Sequence, residues 1–390
     1  MAGRGVVKPI YRAMIALLYY WRDEYTRIFR DAEVLVFFLL LPTAYPILYA
    51  LIYNPEVVVD VPVAVVDESR TVLSREIVRN FDATPAARIV SHCANLDEAR
   101  LLMMQRDCYA ILVISADITD AIARGEQATL VFYTDMSLLL NYKSLYMALT
   151  EVTLDMDVTL RQQALPIGVS NSIMNIAQQP VPYASVVMFN PTSGVASFLI
   201  PAVLVLILQQ SLILGIGMLA AVWHEKGRGW YAPHRIWAQL CARTLCYVSL
   251  YIFNIVYLFH FVPWVFGYEQ LGSAIEIFLW ALPMTLSSIF MATTLSVWVR
   301  EREYVYLLFV FTSVVFIFLS GIAWPRYAMP EVWRYLSYMI PSTWGIECFV
   351  QMNTMGATLA QASHAYVCLW ILTLIYAATA YITMRYESKK

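Results

Sequence analysis

Apolar residues along this chain gather into six long runs, at about 34–53, 196–222, 237–265, 274–298, 304–323 and 365–383. Each reaches the ~20 residues that carry an α-helix across ~30 Å of hydrocarbon at ~1.5 Å per residue. Pro42 and Pro46 interrupt the first run. Neighbouring helices can satisfy the backbone groups that proline frees. Ahead of that run the rhythm differs. Between residues 9 and 31, Ile10, Met14, Leu17, Leu18, Trp21, Tyr25 and Ile28 recur at three- and four-residue steps, among Arg22, Asp23, Glu24, Arg27, Arg30 and Asp31. That spacing predicts an amphipathic helix too charged to span, lying on the membrane surface over residues 1–33.

Between the first two runs the pattern changes again. VPVAVVD (61–67) is a β-branched run that ends in turn residues. SRTVLSREIVRNF (69–81) has helical spacing, with Ser69 placed to cap it. RIVSHC, LDEARLLMMQRD, CYAILVIS, ADITDAIARG and ATLVFYTD then continue the alternation of strand and helix, and a longer helix is expected at 138–164. Four strands separated by helical segments predict an inserted α/β domain rather than a β-sandwich. A connector rich in Pro, Asn and Gln, at 166–192, leads back to the membrane. Residues 320–345 hold three prolines and three tryptophans. They are read as short re-entrant helices in the outer leaflet, because proline-broken backbone at that depth must be buried in protein or line a cavity. An ordinary outer loop with an aromatic belt is the alternative.

Lys and Arg in the short loops set the orientation. Six lie in the N-terminal arm; Lys226, Arg228 and Arg235 follow the second span, Arg300 and Arg302 the fourth, and Arg385, Lys389 and Lys390 the last. The opposite loop, 267–273, has none. Both termini are therefore expected in the cytoplasm. The whole is an α-helical membrane protein with six transmembrane helices and an extracytoplasmic α/β domain and connector over 54–192; the remaining spans and the re-entrant segment occupy 193–390. Only 14% of the 390 residues are charged, against roughly 25% in soluble chains. The net charge of −2 gives no reason to expect a nucleic-acid partner. No cleavable signal peptide is apparent. The 6 cysteines form no CxxC or Cys/His cluster and the 5 histidines are scattered, so no metal site is expected.

The order of these parts resembles the ABC type-2 transporter permeases, membrane subunits of ATP-binding-cassette exporters, and especially the branch with a large periplasmic insert between the first two spans. DEYTRIFRDAEVLVFFLLLP is similar to that family's opening, VPVAVVDES and LDEARLLMMQRDCYAILVISADITDAIARGEQATLVFYTD to its insert, and FNPTSGVASFLIP to its re-entry. SGIAWPRYAMP with MIPSTW resembles the stretch after its fifth span. The loop HEKGRGW departs from many relatives, since Trp230 stands where Thr is common. The resemblance implies a separate cytoplasmic ATP-binding-cassette ATPase, a homodimer or a pair with a related permease, alternating access with the substrate path at the subunit interface, and a bacterial inner-membrane location. A periplasmic adaptor follows by analogy alone. ATP and Mg would belong to the ATPase. The chain has no GxxxxGK[ST] loop to cradle phosphates, so it is not expected to be an enzyme and holds no cofactor of its own.

Two sets of residues are candidates for function. Tyr25, Arg27, Arg30 and Asp31 on the surface helix, with Glu225, Lys226 and Arg228 after the second span, would dock on the ATPase. Against that, these charges are merely solvated or meet headgroups; coupling is preferred at Arg30 and Glu225. Gln209, Gln210 and Asn254 are amides within spans and candidates for the substrate path. Thr285, Ser287, Ser288, Thr293 and Thr294 read better as helix–helix bonds. The spans are expected to carry no ladder of Asp, Glu or Arg, with only Glu276 and Glu347 near the outer boundary. That disfavours a proton relay and an ion-coupled transporter, and suits an amphipathic or lipid-like substrate. Cys93 and Cys108 sit near neighbouring strands, as a disulfide or as two free buried thiols. A membrane-anchored sensor or assembly platform is the competing function. A lipid enzyme would need clustered Asp, His or Ser, and none is seen.

Overall fold

Six helices of the computed structural model are long and apolar enough to cross a membrane. The described residues are 4–53, 56–124, 126–164, 188–190, 194–226 and 236–389. They form two units, residues 1–54 with 189–390, and residues 55–188.

In the larger unit, α1 (Arg4–Arg30) precedes the first long helix, α2 (Ala32–Tyr53). Asp31 ends one and caps the other, accepting from the backbone N–H of Glu33 at 3.2 Å. The later long helices of this unit, numbered after those of the smaller unit, are α7 (Val195–Glu225), α8 (Ile236–Phe266), α9 (Ala274–Ser296), α10 (Arg302–Leu319) and α13 (Ser363–Glu387). Apolar on every side, α7 belongs at the centre of a bundle. It is buried nearly along its length and packs on α2, α9, α10 and a shorter helix, α12 (Pro341–Asn353).

Prolines within these helices leave carbonyls without their usual donors, and at three of them a side chain from elsewhere supplies one. Pro42 cannot bond the Phe38 carbonyl four residues back; Asn254 Nδ2 of α8 donates to it at 2.9 Å. Pro263 frees the Phe259 carbonyl, which Gln270 Nε2 meets at 3.3 Å, and Pro283 frees that of Leu279, which the Tyr366 hydroxyl approaches at 3.5 Å. Near the first two breaks the helices widen into single π-turns, Val36–Leu40 in α2 and Tyr257–Phe261 in α8. The Tyr257 hydroxyl crosses from the second of these to the Thr43 carbonyl of α2 at 2.8 Å.

After α10, the broken apolar stretch forms a 3₁₀ turn (Arg326–Ala328), α11 (Glu331–Ser337) and α12. Helical structure thus continues past residue 345 to Asn353, and α12 is buried against α7, α9 and α13. Gly345 permits that packing. A Cβ there would lie 2.5 Å from Met284 Sδ and 3.2 Å from Val205 Cγ1. Its carbonyl accepts from Trp280 Nε1 at 3.1 Å.

The smaller unit is a four-stranded sheet of order β2-β1-β3-β4. In chain order it runs β1 (Val61–Asp67), α3 (Val72–Asp82), β2 (Ala87–Cys93), α4 (Leu96–Met104), β3 (Ala110–Ile114), α5 (Ile118–Ala123), β4 (Leu130–Thr134) and α6 (Leu139–Ala164). β1 is parallel to β2 and β3, and β4 is antiparallel to β3. Covered on both faces, β1 has the continuous apolar run of a buried parallel strand. Val61, Val63 and Val65 face a core with Ile77, Phe81 and Leu145; Ala64 and Val66 face a smaller one with Ala99, Cys93 and Cys108. Both cysteines are free and buried, and burial pushes the Cys108 thiol pKa above its usual value. The cap of α3 is Thr71, not Ser69: its hydroxyl accepts from Ser74 N at 3.2 Å while Ser74 Oγ accepts from Thr71 N at 3.0 Å. Ser69 supports it from outside through the Thr71 hydroxyl. The connector expected at 166–192 lies outside the described residues except for 188–190.

Candidate coupling site

The face that α1 turns to the membrane unit is not wholly apolar. Glu24 stands three residues after Trp21 and four before Ile28, so helical spacing puts it on their stripe. It is 1% exposed. One carboxylate oxygen accepts from the Tyr247 hydroxyl, and the other lies 3.3 Å from Nε of Arg243. Arg243 and Tyr247 are one turn apart on α8 and both are buried. Nearby, the hydroxyls of Tyr25 and Ser249 are 2.7 Å apart. Arg243 thus stands as a buried charge seven residues into α8, a single one among the described residues and not a ladder. A charge is tolerated there because a carboxylate meets it.

Arg27 also turns inward. Its guanidinium is 2.5 Å from Asp23 and 3.9 Å from Glu24, and it lies 3.8 Å over the Trp223 ring at the end of α7. Arg30 is exposed and, among the described residues, makes no ion pair. Asp31 and Glu225 meet one cation, Arg302, at the start of α10. Arg302 donates from Nε to Glu225 at 3.0 Å and from its backbone N–H to the same carboxylate at 3.0 Å. It reaches Glu33 at 2.7 Å and Asp31 at 3.5 Å. Three acids and one arginine thus tie the start of α2, the end of α7 and the start of α10. His224 and Glu387, 2.8 Å apart, join the ends of α7 and α13. Lys226 is exposed at the close of α7. Arg228 lies outside the described residues, as do Trp230 and Arg235.

The three amides proposed for a path are buried and bridge elements. Gln209 Oε1 accepts from the N–H of Ser342, one of the free donors that begin α12, at 2.7 Å. Gln210 Nε2 donates to the Thr312 hydroxyl of α10 at 2.8 Å. Asn254 caps the Phe38 carbonyl, as described above. The second polar atom of each, Gln209 Nε2, Gln210 Oε1 and Asn254 Oδ1, is buried without a partner among the described residues. The expected helix–helix hydroxyls bond mostly within their own helices, Ser287 and Ser288 to Met284 O and Thr293 to Ile289 O. Thr294 crosses to Thr379 of α13 at 3.0 Å.

Sequence reasoning passed over Glu24, Arg243 and Tyr247, and named Arg302 only as an orientation signal. Two signals were there: an acid on the apolar stripe of a helix, and an arginine several residues inside an apolar run. Neither identifies its partner, because residues 24 and 243 meet only through tertiary structure. Glu33 carried no separate signal.

A family model described as ABC-2 family transporter protein matches residues 32–382. No curated protein matches the chain.

Proposed function

The chain belongs to the ABC-2 transporter family, and from that premise we propose that it is the permease subunit of an ATP-driven exporter whose ATP, with Mg, is hydrolysed by a separate cytoplasmic ATP-binding-cassette subunit. The match across residues 32–382 carries the reading, since it takes in five of the long helices whole and most of the sixth. Under it, both termini lie in the cytoplasm of a bacterial inner membrane and residues 55–188 fold outside, where an adaptor could be received. Two permease chains, identical or related, face two ATPase subunits. The cargo is amphipathic or lipid-like.

The ends of α1 and α7 supply the contact with the ATPase. Exposed Arg30 and Lys226, which make no ion pair among the described residues, offer cations to it, and Arg228 follows two residues on in the sequence. Asp31 and Glu225 act through Arg302, which binds the starts and ends of three spans into one block. Arg27 holds α1 against Trp223. Gln209, Gln210 and Asn254 each keep one amide atom that has no partner among the described residues, and these atoms are offered to cargo when the helices part.

The test is purification of the full chain from its native membrane, identification of what accompanies it, and measurement of ATP hydrolysis. A stoichiometric ATPase stimulated by the chain, with stimulation lost in Arg30→Glu while membrane insertion holds, is expected. A lone oligomer without ATPase overturns the reading and favours an anchored sensor or platform.

A further inference from the structure

An amphipathic helix stays on a membrane through its apolar face and has no need of a buried acid. Yet α1 places Glu24 fully inside, against an arginine and a phenol of α8. A buried ion pair adds little net stability, because both charges lose water to form it. What it does fix is register. Only one rotation and one longitudinal position of α1 satisfy Glu24 with both Arg243 and Tyr247.

The contact continues inward. The Tyr247 ring stacks on Phe38 of α2, with centroids 5.6 Å apart. Phe38 sits in the π-turn of α2, and its carbonyl is held by Asn254 on the same α8. About one turn beyond Asn254 on α8, the Tyr257 hydroxyl holds the Thr43 carbonyl of α2. On the other flank, Arg27 bridges Glu24 to Trp223 of α7. α8 is thus gripped by α1 at one end and grips α2 at two levels beyond. A π-turn carries one surplus residue per turn, so a helix can change register there without losing its ladder.

We propose that Glu24, Arg243 and Tyr247 form a strut that makes α1 and α8 move as one body, and that displacement of α1 passes along it to the π-turn of α2. The three are positioning residues: none touches ATP or cargo. The strut deepens the exporter reading above and rests on it for the source of the displacement.

Two measurements on the full chain in lipid nanodiscs test the proposal. The first needs no ATPase. In a chain whose other cysteines are replaced, spin labels at Thr26→Cys on α1 and native Cys241 on α8 report their separation. A single narrow distance is expected in the parent chain, broadened in Glu24→Gln and in Tyr247→Phe, and unchanged in the surface control Arg22→Gln. Tyr247→Phe removes one hydroxyl, so it keeps the test open if the Glu24 variant fails to fold. A distribution that stays narrow in both variants overturns the strut. The second is MgATP hydrolysis by the co-purified complex, scored per folded complex. Loss of the strut lowers the stimulated kcat by about fivefold or more at unchanged KM for ATP, and the exchanged pair Glu24→Arg with Arg243→Glu recovers part of it. A merely structural role lowers the yield of folded complex without moving kcat. Broadened distances with full stimulation overturn the transmission of motion. If the parent complex hydrolyses no ATP, the exporter reading falls, and the distance measurement still judges the strut.

Discussion

Gly215 of α7 exposes how tightly the centre of the spans is packed. A Cβ at this position would stand 2.7 to 2.8 Å from three ring carbons of Phe38. The ring cannot swing aside. It is stacked on Tyr247, meets Tyr251 edge-on with centroids 6.2 Å apart, and belongs to a residue whose carbonyl Asn254 holds. From 2.7 Å, a carbon–carbon contact of about 3.5 Å is reached only by moving helix and ring apart by about 0.8 Å. Gly215→Ala should therefore cost about 1–3 kcal/mol as an overpacked core, which at about 2–4 °C per kcal/mol is a fall of about 2–12 °C in melting temperature. Size-exclusion chromatography of heated, detergent-solubilised protein measures it. The decisive comparison is Phe38→Leu, with and without the alanine. Leucine leaves room at the contact, so Gly215→Ala should cost clearly less in that background, a coupling of about 0.5–3 kcal/mol. Equal costs in both backgrounds, or no cost in either, would refute the packing argument.

Asn254→Leu should lose about 1–3 kcal/mol, because the Phe38 carbonyl that Pro42 leaves open is then buried without a donor; the same heating assay reads it, and a neutral result would mean that another donor reaches that carbonyl. Arg302→Gln should change stability by no more than about 1 kcal/mol, its four partly exposed groups being screened by water, while lowering the stimulation of the ATPase subunit; normal stimulation would remove the Arg302 cluster from coupling. Thr71→Val breaks the capping box of α3 and should cost about 1 kcal/mol, seen as faster amide exchange across residues 72–82 and not in β3. Raised by burial, the Cys108 thiol pKa leaves less thiolate at mildly alkaline pH. Its maleimide labelling should therefore be slow in the native chain and speed up on unfolding; equal rates in the native and unfolded chain would place Cys108 at the surface.

How far a feature could be read ahead of the structure depended on whether its cause is local. The run VPVAVVD became β1 over its full length, since a parallel strand covered on both faces must be apolar throughout. The long apolar runs became helices within a few residues of their expected ends, because length against bilayer thickness is a property of the segment alone. The cap of α3 slipped by two residues, from Ser69 to Thr71, as several neighbouring hydroxyls qualify and only backbone geometry chooses among them.

Legible from the residues alone were which segments are long and apolar enough to cross hydrocarbon, where strand gives way to helix, and that α1 has one apolar face. Tertiary structure alone decided that Glu24 finds Arg243 and Tyr247, that Arg302 gathers Asp31, Glu33 and Glu225, and that Asn254 takes the carbonyl left open by Pro42. The physical reason is that burial and periodicity act on a residue and its near neighbours. Pairing of a buried charge or an orphaned carbonyl depends on which of many distant groups the packing brings within ~3 Å.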